Sequence, residues 1–126
     1  MDLRAYFEQT KGTGVLATAD SSGKVDVAFY ARPHVLEDGT LAFIMADRLT
    51  HHNLQSNPHA AYLFVEPGEM YEGKRLFLKK VSEEKNTERL KEMFRKCSCT
   101  VEKESDGKDR FLVIFKLEKE LPLIGS

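Results

Sequence analysis

Apolar positions along the chain follow two rhythms. A spacing of two recurs in short stretches bounded by turn residues, and a spacing of three and four appears in two places. The first marks strands and the second amphipathic helices. Near the start, Leu3, Tyr6, Phe7 and Thr10 share one helical face, with Asp2 as a suitable N-cap and Lys11-Gly12 as the stop. Residues 15–19 predict a strand, Asp20-Ser-Ser-Gly23 a turn, and 24–32 the returning strand, in which Val25, Val27 and Phe29 alternate with Asp26 and Ala28. Pro33 ends or bends that strand, Glu37-Asp-Gly39 turns the chain, and 41–46 follows as a third antiparallel strand. The polar segment 47–56, with only Leu49 and Leu54 apolar, fits one or two helical turns closed by Asn57-Pro58.

Strands at 59–65 and 74–81 come next, separated by a turn at Glu66-Pro-Gly68. Ser82 reads as the N-cap of a further helix, with Glu83 and Glu84 at its positive end and Arg95 and Lys96 at its negative end. Leu90, Met93, Phe94 and Cys97 form its apolar stripe. Thr100-Val-Glu, a turn at Ser105-Asp-Gly107 and a strand over 110–118 make a closing hairpin, and Leu121-Pro-Leu-Ile124 is an apolar tail expected to pack on the rest. About seven strands in hairpins and three peripheral helices predict a mainly β chain, folded as a closed or nearly closed antiparallel barrel in one domain over 1–126. A small barrel leaves little room inside, so a ligand is expected on its outside or at a subunit interface.

Composition narrows the class. Hydrophobic residues make up 41% and charged residues 31%, which is ordinary for a soluble globular domain. Lys and Arg total 19 against 20 Asp and Glu, so nothing suggests electrostatic nucleic-acid binding. There is no uncharged apolar run of membrane-spanning length and no apolar leader near Met1, and a cytoplasmic location is expected. Cys97 and Cys99 are too few for a structural zinc and are expected as free thiols. His51 and His52, adjacent on a helix, point about 100° apart and do not share a ligand well, so both are expected in solvent and no metal site is assigned. Tyr30, Tyr62 and Tyr71 read as ordinary strand aromatics.

One segment suggests chemistry. Arg48, Thr50 and Asn53 group a cation, a hydroxyl and an amide where a helix starts. First-turn N–H groups lack intrahelical partners and the dipole favours negative charge, so such a turn suits an anionic ligand. No acid, base or nucleophile stands out, and catalytic residues stay unassigned.

Five segments in order resemble the FMN-binding split-barrel superfamily, the group that includes the pyridoxamine 5'-phosphate oxidase-like proteins. They are Gly14-Val-Leu-Ala-Thr18, Gly23-Lys-Val-Asp-Val-Ala-Phe-Tyr, Asp38-Gly39-Thr-Leu-Ala-Phe, Thr50-His-His-Asn53-Leu54-Gln-Ser-Asn57-Pro58 and Tyr71-Glu-Gly73-Lys-Arg. The resemblance implies a six- to seven-stranded antiparallel split barrel and a homodimer with two FMN sites at the subunit interface. Carried onto this chain, Arg48, Thr50 and Asn53 would sit at the FMN phosphate and ribityl end. Val27, Ala28, Phe29 and Tyr30 would run beside the isoalloxazine, Ala28 and Ala31 would let a flat ring approach, and Arg32 would serve the phosphate from that strand's end. The implied function is a flavin-dependent oxidoreductase acting on a small molecule, with FMN ahead of FAD or a deazaflavin and with NAD(P)H or another electron donor.

The alternative is a non-catalytic FMN-binding electron carrier, flavin store or redox sensor. A third reading, a haem-handling protein on the same barrel, draws on the four histidines. The chain also departs from the family's pattern. Thr50 stands where a lysine is common in the phosphate site, and the longer C-terminal region with substrate-binding Arg and His residues is replaced by Leu121-Pro-Leu-Ile-Gly-Ser126, which disfavours true pyridoxamine 5'-phosphate oxidase activity.

Overall fold

A computed structural model describes residues 2–96 and 108–125; Cys97, Cys99, the strand expected at 100–102 and the turn at 105–107 lie outside the described residues. The elements are α1 (Leu3–Gln9), β1 (Thr13–Ala19), β2 (Val25–Phe29), β3 (His34–Val35), β4 (Leu41–Ala46), α2 (Leu49–Ser56), β5 (His59–Val65), β6 (Gly73–Lys85), α3 (Glu88–Lys96) and β7 (Arg110–Pro122). Asp2 caps α1 by accepting from the Ala5 N–H at 2.8 Å. The β1–β2 turn closes on Asp20, whose carboxylate accepts from the Ser22 and Lys24 N–H groups while Gly23 takes the left-handed φ of 89°.

All strands among the described residues join one antiparallel sheet in the order β2-β1-β5-β6-β7-β4-β3. Laid flat, seven strands at ~4.8 Å spacing would hold β2 and β3 roughly 29 Å apart. The link 30–33 between them spans at most about 17 Å. The sheet therefore has to curl until its two ends approach, which makes an antiparallel barrel with a split between β2 and β3. β6 and β7 carry the bend. Their register shifts between Phe77 and Leu78 and again between Lys80 and Ser82, as strands do at a barrel corner.

Alternate residues fill the interior. Leu16 of β1, Tyr62 and Phe64 of β5, Leu76 and Leu78 of β6, Val113 and Phe115 of β7, and Phe43 and Met45 of β4 form one buried cluster, with Phe7 of α1 and Leu54 of α2 packed into it. The barrel is thus a packed core, and a ligand has to bind outside it. A second cluster lies on the outer side of β4 and β7, where Leu90 of α3 covers Ala42, Leu112 and Ile114. No helix among the described residues is long and apolar enough to cross a membrane.

Four local expectations change. The strand expected over 24–32 stops at Phe29, because residues 30–33 are needed to cross the split. The strand over 41–46 pairs with β3 and β7 and not with β2, because that crossing carries the chain to the other end of the sheet. Ser82 does not cap a helix. Residues 82–85 extend β6 against β7, Asn86 turns the chain at φ 52°, and α3 begins at Glu88 with the Thr87 hydroxyl accepting from the Leu90 N–H at 3.4 Å. Leu121 and Pro122 belong to β7, paired with Arg75 and Lys74, while Ile124 stays exposed.

Candidate functional site

The split carries a cleft of about 430 Å³ between β2, the link 30–33, the end of β4, the start of α2, and Phe94 with Arg110 on the far wall. Its floor is kept shallow by Ala28, Ala31 and Ala46, and Phe29, Phe43 and Phe94 add aromatic surface. Arg48 and Thr50 make its polar end at the start of α2, Arg110 adds a guanidinium on the far wall, and Asp26 is a carboxylate on the β2 side.

Local sequence explains the polar end. Arg48 is the N-cap residue of α2, in extended conformation, and its carbonyl accepts from the His52 N–H at 2.9 Å. No side chain among the described residues caps the helix, so first-turn donors are left for another acceptor. Thr50 is buried beside the Tyr30 phenol. Burial raises the Tyr30 pKa, Asp26 adds to that, and hydrogen bonding from Thr50 and the charge of Arg48 oppose it, so the phenol keeps its proton at neutral pH. The Tyr30 ring stands edge-on to Phe43 at 5.9 Å, and its carbonyl accepts from the Tyr62 hydroxyl at 3.0 Å. A Cβ at Gly14 would come within 1.9 Å of that hydroxyl, so only glycine lets β1 pass there. Burial lowers the pKa of His34, which therefore lines the cleft as a neutral imidazole.

The cleft brings together Ala28, Phe29, Tyr30, Arg32, Arg48 and Thr50 of the residues named from sequence. It does not include the other two. Val27 points outward from β2 and is 66% exposed. Asn53 turns into the protein, donating from Nδ2 to the Thr18 hydroxyl at 3.1 Å with both residues buried. Arg32 lines the cleft, yet its Nη1 donates to the Phe7 and Thr10 carbonyls at 2.7 and 3.2 Å and so caps the C-terminal end of α1.

His51 departs from its expected place in solvent, being 6% exposed, whereas His52 is exposed as expected. The His51 ring stacks on Phe111 at 3.8 Å, with Nδ1 at 3.0 Å from Asp47 and Nε2 at 3.1 Å from Glu83. Burial alone would raise the Glu83 carboxyl, but hydrogen bonds from Gln55, Lys80 and His51 hold it down at about 2. This network ties α2 to β6 and thereby fixes where Arg48 and Thr50 stand. Thr50, Asn53 and Leu54 do form a helical stripe facing inward, but two of its members are polar, which hid the buried face from hydrophobic patterning. Arg110, Phe94 and His34 went unremarked as cleft residues. Arg110 arrives only through the pairing of Ala46 with Arg110, a contact between segments over sixty residues apart.

No family model matches the chain, and neither does any curated protein. Solved structures do. An FMN-binding protein from Syntrophomonas wolfei subsp. wolfei superposes with a TM-score of 0.75 at 17% identity, over 99% of this chain and 86% of that one. A candidate pyridoxamine 5'-phosphate oxidase from Listeria innocua gives 0.65 at 20% identity, over 94% and 93%. The styrene monooxygenase flavin reductase from Pseudomonas putida S12 gives 0.57 at 10% identity, over 94% and 83%.

Proposed function

We propose, from the FMN-binding split-barrel fold that this chain has, that the cleft binds a flavin, FMN in the first place, and that the protein is a flavin-dependent oxidoreductase working as a homodimer. The observation that carries the reading is the cleft's division into a small-residue floor and a cationic end at an uncapped helix start. A flat, largely apolar ring suits Ala28, Ala31 and Ala46, and a phosphate suits Arg48, Thr50 and the first turn of α2. Bound flavin would supply the one- or two-electron chemistry.

The chain's own residues then have defined work. Arg48 gives the phosphate charge-assisted hydrogen bonds, Thr50 adds an O–H donor, and Arg110 adds positive potential from the opposite wall. The protonated Tyr30 phenol offers a neutral polar contact, and the β2 backbone at Ala28 lies within the cleft wall to meet the ring edge. Arg32 acts indirectly by holding α1 against the link.

The homodimer reading has its own support. On the outer side of β2, Val25, Val27 and Phe29 are 78%, 66% and 80% exposed, and the register continues that row through Val15 of β1 to Leu63 of β5. An apolar sheet face of this kind suits a two-fold self-complementary contact. Because β2 belongs to both the face and the cleft, a second copy would close the cleft from outside. Absorbance of the purified protein and FMN titration test the cofactor, and a protein with no flavin spectrum that binds no added FMN overturns the reading. Repeated reduction by NADPH and reoxidation by an added acceptor tests turnover; a single reduction without cycling leaves a flavin binder and overturns the oxidoreductase.

A further inference from the structure

A second cavity, of about 780 Å³, lies on the other side of the link 30–33, between α1, the β3 segment and α3. Its charged rim carries Arg4, Lys11, Arg32 and Lys96 against one carboxylate, Glu8. Among the described residues, four cations line it against Glu8, and with Lys96 paired to Glu92 the local excess is two positive charges in a chain whose formal net charge is −1. Leu36, Met93 and Pro33 supply an apolar wall. The cations are held in place to different degrees. The Arg4 Nε donates to the Val35 carbonyl at 3.2 Å, Lys96 pairs with Glu92 at 2.9 Å, and Lys11 has no ion pair among the described residues. The volume falls within the range of small-molecule sites, roughly 300–1,000 Å³.

The two cavities share a wall. Ala31, Arg32 and His34 line both, so the single segment of chain that crosses the split separates them. From this geometry we infer that the second cavity binds a phosphate-bearing organic molecule, its anion on Arg4, Lys11 and Lys96 and its apolar part on Leu36 and Met93. An excess of two positive charges suits a doubly charged phosphate better than a single carboxylate. A ligand held there meets the contents of the cleft across one layer of side chains at Ala31 and His34, which makes it a candidate co-reactant. Only this last role rests on the flavin reading; the binding itself does not.

Titration of phenyl phosphate and of benzoate into the full chain, followed by calorimetry, tests the inference. Phenyl phosphate is expected to bind more tightly than benzoate, and Lys11→Glu and Lys96→Gln, both changes at exposed positions, are each expected to weaken it at least tenfold with the fold retained by circular dichroism. Arg48→Ala, which removes the cleft's own anion contact, is expected to keep the component of phenyl phosphate binding that depends on Lys11 and Lys96. No measurable phenyl phosphate binding overturns the inference, as does binding lost in Arg48→Ala but kept in Lys11→Glu, which would move the anion into the cleft. FMN titration of the same proteins separates the two readings. If FMN binds nowhere but the Lys11 and Lys96 dependence holds, the second cavity stands and the flavin reading falls; if FMN binds normally and the lysine variants change nothing, the reverse follows.

Discussion

The two outer faces of the barrel are treated differently. On the β4–β7 side, Ala42, Leu112 and Ile114 lie under Leu90 of α3, so both surfaces of those strands are buried by the chain itself. On the β2–β1–β5 side, Val25, Val27, Phe29 and Leu63 face solvent, and no helix among the described residues crosses them. Both faces are apolar, and among the described residues one of them receives a helix. Both faces reach the cleft, the covered one through Ile44 and Phe94 and the bare one through β2, so the bare face is where a second copy would add a wall to a ligand site.

The largest expected effect comes from the interior on which both faces rest. Leu16→Ala, at a fully buried position of β1, should destabilise by ~2–5 kcal/mol, with chemical denaturation as the check, because the surrounding aromatics cannot close the space. On the covered face, Leu90→Ala should cost about 2–3 kcal/mol and free the stripe under α3. On the bare face, Phe29→Glu should hardly change the stability of one chain but should remove roughly 2 kcal/mol of burial per copy from association. On the proposed homodimer reading, light scattering would then report a monomer for this variant and a dimer for the unaltered protein. Equal masses for both proteins would break the contrast between the faces.

Smaller effects sharpen the cleft side. Arg48→Ala should weaken FMN by ~1–3 kcal/mol, the scale of a charged hydrogen bond, while the melting temperature holds; unchanged affinity would return Arg48 to solvent. The smallest effect is a pH dependence. The Glu83 carboxyl lies at about 2 in the folded chain against an ordinary 4.5, so its contribution is complete above about 4.5 and is lost as pH falls from there towards 2. Since the group is partly exposed, that contribution should be about 1 kcal/mol after screening. The stability difference between the protein and Glu83→Gln should shrink as pH falls below 4.5, with chemical denaturation at each pH as the check.

Much of the fold was written locally. Asp2 with Leu3, Tyr6 and Phe7 specifies α1, Asp20 and Gly23 specify the first hairpin, and the run 59–65 reads as the strand it is, because caps, turns and alternation depend on near neighbours. The start of α2 and its Arg48 and Thr50 were legible for the same reason. Ser82 misled because an N-cap signal is weak beside the long pairing of β6 with β7, and His51 misled because its partners Glu83 and Phe111 lie more than thirty residues away.

By itself, then, the sequence determined most of the elements, the antiparallel character of the sheet and the helix start at Arg48 and Thr50. The tertiary structure alone decided which apolar face is covered, that Val27 and Asn53 stay off the cleft wall, and that Arg110, Phe94 and His34 join it. The physical reason is closure. A link of four residues forces the ends of a seven-stranded sheet together, and the cleft, its second wall and its cationic end exist only where that curl brings distant segments side by side.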